Sequence, residues 1–181
     1  SMDEELDKLT RENEAVNERV EREARRLKEE NRKVDEEVRR AVEELKERVR
    51  RVLEEVRRKI SEEKLRKIEE DLKRIEEEIE RLEERNRRES EKFEKEVEDK
   101  LRENDKKSKE VRRDVERIKD GDEEDVRRLL EEYARLVREA EREVREILRK
   151  YEELVRKARK DAKKLLDDIE RKIEKIKRDV D

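Results

Sequence analysis

Along the first third of the chain, apolar or small polar residues return every three or four positions, from Leu6, Leu9, Asn13, Val16, Val20 and Ala24 onward to Ile60. The steps run three, four, three, four, four and then repeat, so one cycle spans 18 residues. Eighteen residues make about five turns of an α-helix, so the stripe holds one face instead of drifting as a strict heptad does. This predicts a nearly straight helix with little supercoil. The same stripe runs from Leu65 to Ile118 and again from Val126 to Val180. Three helices are therefore expected, at about 3–59, 61–119 and 122–180, each about 87 Å long at 1.5 Å per residue.

The boundary between the second and third helices is marked by Asp120-Gly121-Asp122. Gly121 suits a left-handed helix end, and Asp122 can cap the next helix, with acids filling its first turn. The first boundary lies where the step from Ile60 to Leu65 breaks the phase of the stripe. There Ser61-Glu62-Glu63 reads as an N-cap followed by acidic first-turn residues. The alternative is one helix running through both segments with Ser61 on its surface. Short connections force antiparallel neighbours, so the expected fold is all-α, one long up-down-up three-helix bundle domain spanning 1–181 and resembling a coiled coil.

The polar residues inside the stripe repeat at the same interval. Asn13 and Asn31 are 18 residues apart, as are Asn86 and Asn104, Ser90 and Ser108, and Tyr133 and Tyr151. Folding at residue 61 pairs positions summing to about 122, and folding at residue 121 pairs those near 242. Asn13, Ser108 and Tyr133 then share one level, and Asn31, Ser90 and Tyr151 another. Asn104 and Asn86 lie one turn from the serines, and Asn17 and Asp35 flank the stripe at the layers' outer edge. Such groups cost a few kcal/mol when buried unpaired and little when paired. A slipped register would bury them against Val or Leu, so the layers are expected to fix helix pairing. Tyr133 or Tyr151 as a catalytic acid or base is the less economical reading, because the device occurs twice.

Composition narrows the chemistry. Charged residues make up 65% and hydrophobic ones 29%, with 57 Lys and Arg against 61 Asp and Glu. Leu, Ile, Val and Phe total 42 of 181, close to the level of disordered chains, and only the stripe argues for folding. The absence of His and Cys removes the commonest general base, metal ligand and thiol nucleophile. No catalytic, cofactor-binding or metal-binding residue is expected. Charges of both signs interleave, so there is no basic stripe for nucleic acid. No apolar run exceeds two residues, whereas a membrane span needs about 20. Ser1-Met2 reads as the remnant of a removed tag, which suggests a soluble recombinant protein in a host cytoplasm.

One asymmetry remains. The third helix carries an added column, Leu130, Val137, Leu148, Val155 and Leu166, which the others largely lack. It is expected either to widen the buried face or to form an exposed strip that drives self-association of an otherwise monomeric chain.

The 18-residue repeat, the Asn, Ser and Tyr layers, the Glu-, Lys- and Arg-saturated surface and the lack of His, Cys, Pro and Trp resemble de novo designed, parametrically generated helical bundles with buried hydrogen-bond networks. The resemblance covers nearly the whole chain. It implies high thermal stability and use as a scaffold, building block or assembly module, with no natural activity, small-molecule, nucleic-acid or membrane partner. A self-assembling module and a natural elongated coiled-coil rod are the competing readings.

Overall fold

The computed structural model describes residues 1–180, Val180 by its backbone alone. The stripe's last side chain, Val180, and the final residue of the expected domain lie outside this description. Three helices account for nearly all of it: α1, Met2–Val56; α2, Glu62–Ile118; and α3, Glu123–Val180. The fold is an all-α three-helix bundle, and the helix bounds lie within three residues of those read from the stripe.

The ends follow from local hydrogen bonding. Ser1 caps α1, its Oγ accepting from Glu4 N–H at 3.4 Å. After α1, Lys59 and Ile60 N–H both donate to the Val56 carbonyl, which tightens the last turn before the chain reverses. Ser61 Oγ then accepts from Lys64 N–H at 3.3 Å, so a turn, not a continuous helix, occupies this point. Asp122 Oδ1 caps α3 through Glu124 N–H at 3.0 Å. Gly121 departs from expectation, because its φ is not positive. It donates to the Ile118 carbonyl at 2.8 Å, and a Cβ there would sit 3.2 Å from that same oxygen. Close backbone approach, and not a left-handed conformation, is what favours glycine here.

The packing divides into two compact units that share all three helices. The first comprises Ser1–Lys28 with Ser90–Glu152, and the second Glu29–Glu89 with the chain from Glu153 onward. In the first unit α1 and α2 are antiparallel: Asn17 meets Asn104 and Lys28 meets Glu94, pairs whose numbers sum to 121 and 122. Between α2 and α3, Ser108 meets Tyr133 and Lys100 meets Glu143, with sums of 241 and 243. Arg19 and Glu141 place α1 parallel to α3 at an offset of 122. The second unit keeps these values: Arg39–Glu83 and Lys46–Glu76 sum to 122, Asp71–Lys172 to 243, and Arg48–Glu170 has an offset of 122. The expected sums of 122 and 242 therefore hold within each unit, and the offset is two residues above the expected 120.

Every described member of the stripe is buried or half-buried. In the first unit Leu6, Val115, Val126, Leu130, Tyr133 and Val137 form one core cluster. The added column of α3 belongs inside: Leu130, Val137, Leu148 and Val155 are buried and Leu166 half-buried. Among the described residues no large apolar side chain is exposed, which corrects the expectation of an open self-association strip on α3. The column widens the buried face instead. Coverage is thinnest in the second unit, where Leu65, Ile68, Leu72 and Ile75 at the start of α2 are only half-buried.

Candidate functional site

The polar stripe residues form hydrogen-bonded groups, each held by helices whose spacing the stripe sets. In the first unit Tyr133 is fully buried, and its hydroxyl lies 2.5 Å from Ser108 Oγ. Tyr133 O–H donates onward to Thr10 Oγ1 at 3.3 Å, so Ser108 is left to donate to Tyr133. The chain Ser108, Tyr133, Thr10 joins α2, α3 and α1. Asn17 Nδ2 donates to Asn104 Oδ1 at 3.2 Å in a separate bond between α1 and α2. Asn13 is buried as expected, but its Oδ1 and the Nδ2 of Asn104 have no partner. Thr10, not Asn13, therefore completes the layer on α1. A hydroxyl one turn before Asn13 meets the phenol, while the amide does not.

Tyr151, also in the first unit and also fully buried, lies 2.7 Å from Ser90 Oγ. Its O–H donates to Glu94 Oε1 at 3.2 Å, and Lys28 Nζ stands 3.9 Å from the same carboxylate. The Phe93 ring stacks on Tyr151 with centroids 5.7 Å apart and planes at 18°. Burial, with the nearby Glu94 charge adding to it against the Ser90 hydrogen bond, pushes the Tyr151 phenol up to about 12.

In the second unit Asn86 Nδ2 donates to Asn31 Oδ1 at 2.9 Å and, more weakly, to Asp35 Oδ1 at 3.4 Å. Asn86 Oδ1 is buried without a partner. Burial raises the Asp35 carboxyl above the usual carboxylate range, opposed by the Asn86 hydrogen bond and by Arg39.

Asn13, Asn31, Asn86, Ser90, Asn104, Ser108, Tyr133 and Tyr151 are thus all buried, and Asn17 and Asp35 join the amides at their edge. Two participants escaped the sequence reading. Thr10 is the chain's sole threonine and sits beside the stripe, a signal that was available. Glu94 is one acid among 61 and carries no such mark.

The Tyr151 phenol keeps its proton at neutral pH. A phenol near 12 neither gives up a proton readily nor takes one at pH 7, which favours a hydrogen-bonding role over acid–base work. Among the described residues no group of three His, Cys, Asp or Glu is placed to hold a metal ion. Among them, too, no helix is long and apolar enough to cross a membrane. No protein family, curated protein or solved structure matches the chain.

Proposed function

We propose that this chain is a structural scaffold of designed origin, without a natural biochemical activity, whose buried polar groups set the register of its helices. One observation carries the reading. The same Ser-to-Tyr pair between α2 and α3 is made twice, one 18-residue repeat apart, by buried groups. A catalytic site has no need of a duplicate built into the core, whereas a register device gains from each copy.

The test replaces Ser90 and Ser108 by Val and Tyr133 and Tyr151 by Phe in one variant, with spin labels on exposed positions of α1 and α2. The expected result is a folded protein whose interhelical distances spread into several populations. A single unchanged distance, with stability lost, would refute the register role. The unaltered chain is also expected to melt cooperatively at about 90 °C or above, as idealised bundles do. A broad transition below about 60 °C would count against both packing and design.

Assembly between chains is the second reading. It draws support from the half-buried Leu65, Ile68, Leu72 and Ile75 and not from the α3 column. Small-angle scattering on an absolute scale decides between them, since a mass of one chain supports the scaffold and a multiple supports assembly.

A further inference from the structure

Cations cover this chain, yet few of them sit where an enzyme could take hold of the backbone beside them. Among the described residues only Arg57, Arg58, Lys59 and Lys119, of the 57 Lys and Arg, lie outside α1, α2 and α3. A peptide bond inside a helix is shielded, because a protease binds its substrate extended and the helix must first unravel over several residues. A serine protease of trypsin specificity also needs a free cation, since a carboxylate in its pocket grips the Arg or Lys that precedes the cut. These requirements narrow the choice to four residues and do not favour the four equally.

Arg57, Arg58 and Lys59 are consecutive and exposed, and none of them pairs with a carboxylate. Their backbone is held at the frayed end of α1, Arg57 N–H donating to the Leu53 carbonyl at 2.9 Å and Lys59 and Ile60 N–H sharing the Val56 carbonyl at 2.8 and 3.1 Å. Ile60, Leu65 and Ile68 beside this turn are only half-buried, so little apolar surface resists its opening. Lys119 is placed otherwise. Its Nζ pairs with Glu116 at 2.9 Å, and Asp120 follows it directly, which puts a negative charge beside the oxyanion that a cut must form. The helix ends around that turn are anchored, with Val115 at 1% and Val126 at 0% exposure.

We propose that residues 57–59 are a processing site for an endopeptidase of trypsin specificity, and that one cut there turns the chain into a non-covalent complex of α1 with the α2–α3 hairpin. Water adds across the peptide bond after Arg57, Arg58 or Lys59, leaving a new carboxylate behind α1 and a new ammonium ahead of α2. The complex outlasts the cut because the severed bond lies outside the core. α1 buries eleven apolar side chains, from Leu6 to Val56. It is also hydrogen-bonded to its neighbours in each unit, through Asn17 with Asn104 and Thr10 with Tyr133 in the first and through Asn31 with Asn86 in the second. Once the connection is gone, mass action holds the helix, and the stability of the cut protein comes to depend on its concentration. The inference goes beyond the scaffold reading and does not depend on it.

The test is limited digestion of the native full chain with trypsin, followed by intact-mass spectrometry and by size-exclusion chromatography with and without guanidinium. Two fragments that meet within residues 57–60 are expected first, formed at least about tenfold faster than any other product. They should elute together at the volume of the uncut chain and part only in guanidinium. Replacing Arg57, Arg58 and Lys59 together by Gln should slow the first cut at least about tenfold, because the cation that the protease pocket grips is gone. The unaltered chain alone decides where the cut falls, so the test survives a variant that fails to fold. A first cut at Lys119 or inside a helix, fragments that part without denaturant, breakdown to small peptides with no two-fragment stage, or an early cut undiminished in the folded variant would overturn the proposal.

Discussion

The groups around Tyr133 and Tyr151 begin from the same pair and end in different chemistry. Both phenols are fully buried and both meet a serine of α2. Around Tyr133 the next partner is Thr10, a neutral hydroxyl. One repeat on, Thr10 is replaced by Lys28, Val111 corresponds to Phe93, and Arg112 corresponds to Glu94. Tyr151 consequently donates to a carboxylate that also faces a lysine, with an aromatic ring stacked on it. The two copies show that the stripe specifies where a polar group is buried, while residues flanking it decide whether the group is neutral or tied to charge. In the neutral copy the flanking Arg112 leaves its buried Nε unpartnered.

The largest effects come from removing the rings. Tyr133→Ala and Tyr151→Ala should each cost about 3–5 kcal/mol in guanidinium unfolding. Tyr133→Ala should be the worse, because it opens the core cluster of Leu6, Val115 and Val126 and strips both Ser108 and Thr10 of their partner. Ser90 retains Glu94, at 3.4 Å, when Tyr151 is lost. Equal losses would mean that the flanks contribute nothing.

Alkali should sharpen the contrast. With the folded-state phenol of Tyr151 at about 12 against 10.0 unfolded, both states keep the proton below about pH 9. Above that the unfolded chain ionises first, so stability falls as pH rises towards 12, by about 2–3 kcal/mol. Tyr151→Phe should remove that component, measured as the difference between the two proteins' denaturation curves from pH 9 to about 12. Curves that stay parallel would show that burial of this phenol is not linked to folding.

Smaller effects of opposite sign should separate the amides. Asn13→Val removes an oxygen that already lacks a partner and should stabilise by about 1 kcal/mol. Asn31→Val takes away the better acceptor of Asn86 and should cost about 1–2 kcal/mol. If both variants shift the unfolding midpoint the same way, the distinction between these amides is wrong. Asp35→Asn should have the smallest effect, a gain below about 1 kcal/mol at neutral pH that disappears in acid. The sign follows because burial raises this carboxyl in the folded state, so stability declines as pH climbs past its unfolded value near 3.8.

Much of the architecture was legible because it rests on periodicity. The phase break between Ile60 and Leu65 located a turn that no glycine or proline announces, and the pairing sums brought Ser90 to Tyr151 and Ser108 to Tyr133 before any coordinates. What escaped depends on side-chain reach. Asn31 sits at the level of Ser90 by arithmetic, yet its Oδ1 accepts from Asn86 Nδ2, while the Ser90 hydroxyl is engaged with Tyr151 and Glu94. Thr10 completes one group from beside the stripe, where a count of core positions does not look. The residue type at Gly121 was legible as a turn signal, but its φ was not. A close carbonyl and a left-handed bend both select glycine, and only coordinates tell them apart.

The imperfect copying has a consequence for the alternatives open to this chain. A strictly periodic screw thread fits itself equally well after advancing by one pitch, and an 18-residue stripe offers α1 such a slide along α2. The apolar residues would accept it, and Asn31 would meet Asn104 in place of Asn86, although Asn86 itself would then lie against Val49. The slide that carries Lys28 from Glu94 to the place of Arg112 sets two cations against each other at the edge of the core, and like-charge juxtaposition is penalised. Sameness builds the helices, and the few places where the copies disagree weigh against that slide.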